Sequence, residues 1–216
     1  MKVIGLTGGI GTGKSTVSAM LRARGITVVD ADEATRAVQA PGSEGLGRIV
    51  ETFGPGVLTP SGELDRARLA GIVFKDSEAR RRLNAIVHPL VRAWMAARVR
   101  EAAERGEPVV VLDIPLLYES RGEEGLDAVI VVYAPPELQV QRLVEFRGMT
   151  EAEAHERIAA QMPIEEKRHR TRHVIRNVGS LDQLRAEVER VWREVVADPP
   201  KGPDPSRGAG PWPSHG

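Results

Sequence analysis

With 216 residues, the chain has room for one ordinary globular domain with small additions, and it can bury a single sizeable core. Its 41% hydrophobic and 28% charged residues exclude a disordered or fibrous protein. Thirty basic residues balance thirty acidic ones, so no net field draws the chain onto nucleic acid or an anionic membrane, and any polyanion site must be local. The absence of cysteine removes disulfides, thiolate metal sites and cysteine nucleophiles together. Residues 3–7 are apolar but interrupted by glycine, unlike the core of a signal peptide. The longest apolar run, 128–134, is far short of the roughly 20 residues that span a bilayer. The expected compartment is the cytoplasm.

In chain order, short runs rich in valine and isoleucine alternate with stretches of helical spacing. The run at 2–7 leads through a glycine-rich turn into a helical pattern over 17–24, and further runs follow at 26–30, 108–113, 127–133 and 174–177. Runs apolar on both faces suit buried parallel strands, and their alternation with helices predicts a layered α/β fold. A long insertion, about 33–106, separates the second and third strands, with turn signals at Gly54-Pro55-Gly56 and Pro60-Ser61-Gly62 and a helical pattern from Asp65 onward. Residues 66–74 and 79–99 place apolar side chains at spacings of three and four, Leu83, Ile86, Val87, Leu90, Val91 and Trp94 among them, as a core-facing helix does. Pro89 is expected to break or kink the second of these helices. A last helix is predicted over 181–196, which closes a domain of residues 1–197. The Pro- and Gly-rich stretch 198–216 cannot bury enough apolar surface to offset its ordering entropy and is expected to be a disordered tail.

The sharpest motif is Gly8-Gly9-Ile10-Gly11-Thr12-Gly13-Lys14-Ser15, followed by Thr16. It fits the phosphate-loop pattern G-x-x-x-x-G-K-[ST] in the required setting, after an apolar strand and before a helix. Gly8, Gly9, Gly11 and Gly13 let such a loop close round an anion with its N–H groups inward, and the helix adds the positive end of its dipole. Lys14 is placed to reach the β- and γ-phosphates of a nucleoside triphosphate, and the Ser15 hydroxyl to ligate a bridging Mg²⁺.

Neither the D-x-x-G nor the N-K-x-D string of GTPase switches occurs, and motor or transport ATPases carry further domains for which there is no room. The reading left is a small-molecule kinase. Such an enzyme needs a group for the acceptor hydroxyl and arginines over the transferring phosphoryl. Strand two ends in Asp30-Ala31-Asp32; one aspartate is expected to cap the next helix and the other to handle the hydroxyl, and the cap falls to Asp30, the chemistry to Asp32. Strand three ends in Asp113, either a Walker B-like carboxylate for Mg²⁺ or acceptor, or an ordinary turn aspartate. The arginine-laden stretch 142–176 reads in part as a solvated helical surface and in part as a lid over about 142–172, with Arg142 and Arg147 the best-placed cations. Phe146 is the one Phe, Tyr or Trp among its basic residues, too little aromatic interleaving for a stacking surface, so no nucleic acid is expected as a partner. A nucleoside or sugar kinase and a non-catalytic nucleotide-binding module share these features, and the oligomeric state is left open.

Several pieces, in order, go beyond the phosphate loop: Val29-Asp30-Ala31-Asp32 with Arg36 and Pro41-Gly42, Leu83-Asn84-Ala85-Ile86-Val87-His88-Pro89-Leu90, and Asp113-Ile114-Pro115-Leu116-Leu117-Tyr118-Glu119. Later come Gln141-Arg142-Leu143, Gln161-Met162 and Val174-Ile175-Arg176-Asn177-Val178-Gly179. Together they resemble the dephospho-coenzyme A kinase family over residues 1 to about 196. The resemblance implies transfer of the ATP γ-phosphoryl to the ribose 3′-hydroxyl of dephospho-CoA with Mg²⁺. It implies a P-loop NTPase fold like that of nucleoside monophosphate kinases: a five-stranded parallel core, 1–32 and 107–197, a helical acceptor lobe from the insertion, and a lid. It assigns Lys14 and Arg142 to the phosphoryl charge and Asp32 to the hydroxyl. Arg36, His88, Asp113, Leu116 and Glu119 fall on the acceptor side, and Asn177 and Gly179 near the adenine. His88 also reads as a structural histidine ahead of a proline. The chain departs from the family at Arg172-His173, where members often carry Ala-Asp.

Overall fold

Residues 1–120 and 122–199 are described by a computed structural model; the expected tail, apart from Asp198 and Pro199, lies outside the described residues. The elements in chain order are β1 (Lys2–Gly8), α1 (Lys14–Ala23), β2 (Thr27–Asp30), α2 (Ala31–Val38), α3 (Glu44–Phe53), α4 (Arg66–Val73), α5 (Ser77–Glu104), β3 (Val109–Asp113), β4 (Ala128–Tyr133), α6 (Pro136–Arg147), α7 (Glu151–Ala159), α8 (Ile164–His169), β5 (His173–Arg176) and α9 (Leu181–Ala197). They fall into two compact units: residues 1–29 with the chain from Glu101 onward, and residues 30–100.

The first unit is a five-stranded sheet in the order β2-β3-β1-β4-β5. β1 pairs in parallel with β3 and β4, and β4 with β5. All seven residues of β1 are buried, which is why the strand reads as a continuous apolar run with no polar alternation. Successive side chains still point to opposite faces. Ile130 and Val132 join Ile4, Leu6, Val17, Leu21, Val188 and Val191 under α1 and α9. Val131 and Tyr133 pack on the other face with Tyr118 and Ile164. Each such aliphatic side chain contributes about 1.5–3 kcal/mol by leaving water. After β1 the chain crosses to one side of the sheet and after β4 to the other, so the crevice that open α/β sheets use for ligands lies at the C-terminal ends of these two neighbours. Among the described residues, no helix is long and apolar enough to cross a membrane.

The second unit is helical, built on a core of Val38, Ile49, Val57, Leu69 and Val87. Its helices start where the sequence supplies caps: the Asp30 carboxylate accepts from the N–H groups of Asp32 and Glu33, Ser43 Oγ from Leu46, and Asp65 from Arg68. Between α3 and α4 the Pro60-Ser61-Gly62 signal makes a tight reversal, with Thr59 N–H donating to the Glu63 carbonyl at 2.8 Å and Leu58 bridged to Leu64.

Pro89 does not break its helix. α5 runs through it for 28 residues. An interior proline gives up one i→i−4 hydrogen bond and costs about 3 kcal/mol. Here Leu83, Ile86 and Val87 before it and Leu90, Val91 and Trp94 after it pack on the same core, which outweighs that loss. β5 starts and stops one residue earlier than expected, and the shift places Asn177 just beyond the strand.

Candidate active site

The phosphate loop occupies the turn between β1 and α1. Thr12 closes it from within, its Oγ1 donating to the Gly9 carbonyl at 2.8 Å and its N–H to the same oxygen at 3.2 Å. Gly13 sits in the left-handed region (φ 86°) as the N-cap of α1, without a side-chain cap and with no acidic residue in the first turn. The first N–H groups of a helix have no intrahelical acceptor, so this end presents donors and a positive dipole to an anion. The glycines are also demanded by close packing: a Cβ on Gly13 would lie 2.2 Å from Asn177 Nδ2, and one on Gly11 2.9 Å from the Gln139 carbonyl oxygen.

Three side chains distant in sequence fix the loop. Asn177, 8% exposed, donates Nδ2–H to the Thr12 carbonyl at 2.8 Å. Arg142, projecting from α6, donates to the Asn177 carbonyl at 2.9 Å and its Oδ1 at 3.3 Å, with longer contacts to the carbonyls of Gly11 (3.4 Å) and Thr12 (3.5 Å). Burial lowers the Arg142 pKa from the ordinary guanidinium value, yet a guanidinium keeps its charge at neutral pH. Gln139, 1% exposed, donates Nε2–H to the Ala134 carbonyl at 2.8 Å and lies beneath Gly9 and Gly11. Sequence reading passes over Gln139; its signal is a lone polar residue on the inward side of α6, three positions before Arg142.

Lys14 and Asp113 meet: the lysine ammonium is ion-paired with the Asp113 carboxylate, which is 2% exposed at the end of β3. Register explains this, because Asp113 stands opposite Leu6, two residues before the loop begins. The strand-end aspartate is therefore joined to the loop lysine and is not a plain turn residue. Among the described residues, no group of three or more His, Cys, Asp or Glu forms a metal cage. The donors present are one hydroxyl, on the exposed Ser15, and one buried carboxylate, on Asp113. An all-oxygen set this sparse fits Mg²⁺, which keeps several waters and takes most other ligands from phosphates.

Around this centre, Thr16 is exposed on the first turn of α1, and Gly179 lies in the exposed turn before Ser180, which caps α9. Leu116 is 45% exposed in the segment after β3. The Glu119 carboxylate pairs with Lys167 and accepts from the Met162 N–H at 3.0 Å. Arg147 is exposed in the last turn of α6. The stretch read as a lid consists of the end of α6, α7 and α8.

The remaining acceptor-side candidates belong to the helical unit. Asp32 and Arg36 are exposed on α2, and the Asp30 cap leaves Asp32 in the first turn of the helix. His88 is surface-accessible on α5; partial desolvation of its ring, with the Arg92 charge adding to it, lowers its pKa.

What a loop of this geometry holds is the phosphate chain of a nucleotide, and the class that this loop and the five-stranded sheet around it define is a P-loop small-molecule kinase. The family model described as dephospho-CoA kinase (CoaE) matches residues 2–183. A dephospho-CoA kinase of Symbiobacterium thermophilum is 48% identical over 97% of this chain and 90% of its own. Among solved structures, TT1252 from Thermus thermophilus superimposes with a TM-score of 0.75 at 39% identity, covering 89% of this chain and 97% of that one. Dephospho-CoA kinase from Campylobacter jejuni gives 0.69 at 29% identity, covering 91% and 98%. The chain belongs to the dephospho-CoA kinase family. Its activity is the phosphorylation of dephospho-CoA, the last step of coenzyme A biosynthesis.

Proposed function

We propose that the acceptor is the ribose 3′-hydroxyl of dephospho-CoA and the donor the γ-phosphoryl of ATP. The 3′-oxygen attacks the γ-phosphorus, the bond from that phosphorus to the β–γ bridging oxygen breaks, and ADP leaves with the electron pair. Asp32 takes the hydroxyl proton. It stands two residues after the cap at the C-terminal end of β2, the end at which parallel sheets gather ligands. The loop amides and the α1 dipole bind the β-phosphate. Lys14 and Arg142 offset charge on the transferring group, and a charge-assisted contact of this kind is worth about 10²–10³ in rate.

Mg²⁺, held by Ser15 and through water by Asp113, would neutralise charge shared between the β- and γ-phosphates. Arg36, His88 and Leu116 belong to acceptor recognition, and Asn177 and Gly179 to the adenine side. The enzyme acts on a small molecule in the cytoplasm; the balanced charge of the chain, thirty basic and thirty acidic residues, supports the absence of a polyanionic surface as partner.

The observation that supports the reading is the pairing of Lys14 with Asp113 at the mouth of the phosphate loop, a cation and an oxygen donor of the kinds that a γ-phosphate and its metal call for. The test is a coupled assay of the purified chain with dephospho-CoA, ATP or GTP, and Mg²⁺ or EDTA. CoA formation with ATP that stops in EDTA is expected. Turnover that persists in EDTA removes the metal role, and a phosphate found at any position but the 3′-oxygen removes the acceptor assignment.

A further inference from the structure

Lys167, on α8, has a side chain with 0% exposure, although it bears a charge and sits in a stretch whose arginines are largely exposed. Its ammonium is ion-paired with Glu119 at 2.7 Å and reaches the carbonyl oxygens of Pro115 at 3.4 Å and Gly8 at 3.5 Å. A lysine is buried this completely only when its charge and its donors are met, and these three partners meet them.

The partners lie on the two loops that carry the chemistry. Gly8 opens the phosphate loop. Pro115 follows Asp113 by two residues, and its carbonyl also accepts from Thr7 Oγ1 at 3.0 Å. The segment that ends in Lys167 grips these loops at two more points: Gln161 Oε1 accepts the Ile10 N–H at 2.9 Å, and the Met162 N–H donates to Glu119 at 3.0 Å. One stretch, 161–167, thus holds Gly8 and Ile10 on one side and Pro115 and Glu119 on the other. The contact between Lys14 and Asp113 depends on where those two loops stand relative to each other.

We propose that Lys167 is a positioning residue for phosphoryl transfer: its ammonium braces the entry of the phosphate loop against the segment after β3 and thereby sets the spacing of Lys14 and Asp113. It touches neither nucleotide nor acceptor. Its charge matters through the two carbonyls, and the ion pair with Glu119 makes that charge tolerable in the interior.

A brace and a mere stability element differ in a double substitution. Lys167→Met keeps the volume but leaves the Glu119 carboxylate without its cation; Lys167→Met with Glu119→Gln removes both charges, and buried pairs replaced together lose much less stability than pairs broken singly. Melting temperatures are measured by calorimetry on the full chain, and kcat and KM for both substrates well below each melting point. Lys167→Met is expected to lower the melting temperature and to reduce kcat at least tenfold, with KM for dephospho-CoA changed less than threefold. The double variant should regain most of the melting temperature and keep the low kcat, because no ammonium then ties the Gly8 carbonyl to that of Pro115. Glu119→Gln alone should affect kcat less than either, since the amide oxygen still accepts from Met162 and Lys167 still reaches both carbonyls. Recovery of kcat together with the melting temperature in the double variant overturns the proposal. So does a loss in Glu119→Gln equal to that of the double variant, which would place the effect on Glu119.

Discussion

The residues around the phosphate loop and those of the helical unit are held in different ways. At the loop, Asn177, Arg142 and Lys167 come from positions more than 100 residues away, are buried or half-buried, and bind backbone atoms of the loop or its flanks, while the buried Gln139, hydrogen-bonded to Ala134, packs beneath Gly9 and Gly11. In the helical unit, Asp32, Arg36 and His88 stand on exposed helix surfaces, and the contact that orients Asp32 is the local Asp30 cap. A phosphate binder gains from fixed donors, because preorganised dipoles need no reorganisation when charge develops. An acceptor site gains less from rigidity, since a hydroxyl must be admitted, aligned and released.

This contrast is most exposed to test at Lys14. Replacing it by alanine removes one cation from the loop and leaves the Asp113 carboxylate, 2% exposed, without its partner. We expect kcat to fall by about 10³-fold, the upper end for loss of one electrostatic contact to the transferring group. KM should change far less, because the amides and helix dipole still bind the phosphates. Steady-state kinetics with ATP varied decide this. A rise in KM at constant kcat would mean that the lysine serves ground-state binding only.

A second pair of substitutions sharpens the comparison within two turns of chain. Asp32→Asn keeps shape and removes the proposed base, so kcat should drop by about 10²-fold, the lower end for a general base, with an unchanged melting temperature. Asp30→Ala removes the cap of α2, which costs about 1 kcal/mol and lowers the melting temperature by roughly 2–4 °C for a chain of this size. Its effect on kcat should be much smaller than that of Asp32→Asn. Thermal unfolding and kinetics on the same two proteins separate the roles, and an exchange of the two phenotypes would move the chemistry to Asp30.

The sheet was legible because its strands are buried on both faces and so appear as unbroken apolar runs, and the phosphate loop because its glycines are required by the fold itself, as Gly13 against Asn177 illustrates. The cap at Asp30 was equally plain, being local chemistry. Gln139 and Lys167 were not. Lys167 reaches loop carbonyls across the fold, and Gln139 bonds the nearby Ala134 carbonyl while packing under Gly9 and Gly11, which are distant in the chain; spacing along the chain does not reveal either packing against the loop. Lys167 in particular reads by charge as one more cation among the largely exposed arginines around it. The break at Pro89 failed to appear for a related reason: its local penalty is visible in the sequence, whereas the packing that outweighs it is spread over α5.

The smallest effect concerns the opposite end of β5 from Asn177. Asp198, the first residue of the expected tail, is ion-paired with Arg172 and lies 2.8 Å from His173 Nε2, at the positions where the chain departs from the family pattern. Its pKa is lowered, chiefly by the hydrogen bond from Arg172. A carboxylate held lower in the folded protein adds stability that is fully present above its unfolded value of 3.8 and is lost as pH falls through the folded value. Asp198→Asn should therefore melt about 1–2 °C below the parent at neutral pH, as an exposed pair warrants. The gap should narrow as the pH drops below 3.8, and kcat should be unaffected, because the pair lies at the far end of the sheet from Lys14. A gap that persists at low pH would mean that the loss does not come from the charge of the Asp198 carboxylate; the contact of the buried Lys2 ammonium with the Asp198 backbone carbonyl is present in both proteins.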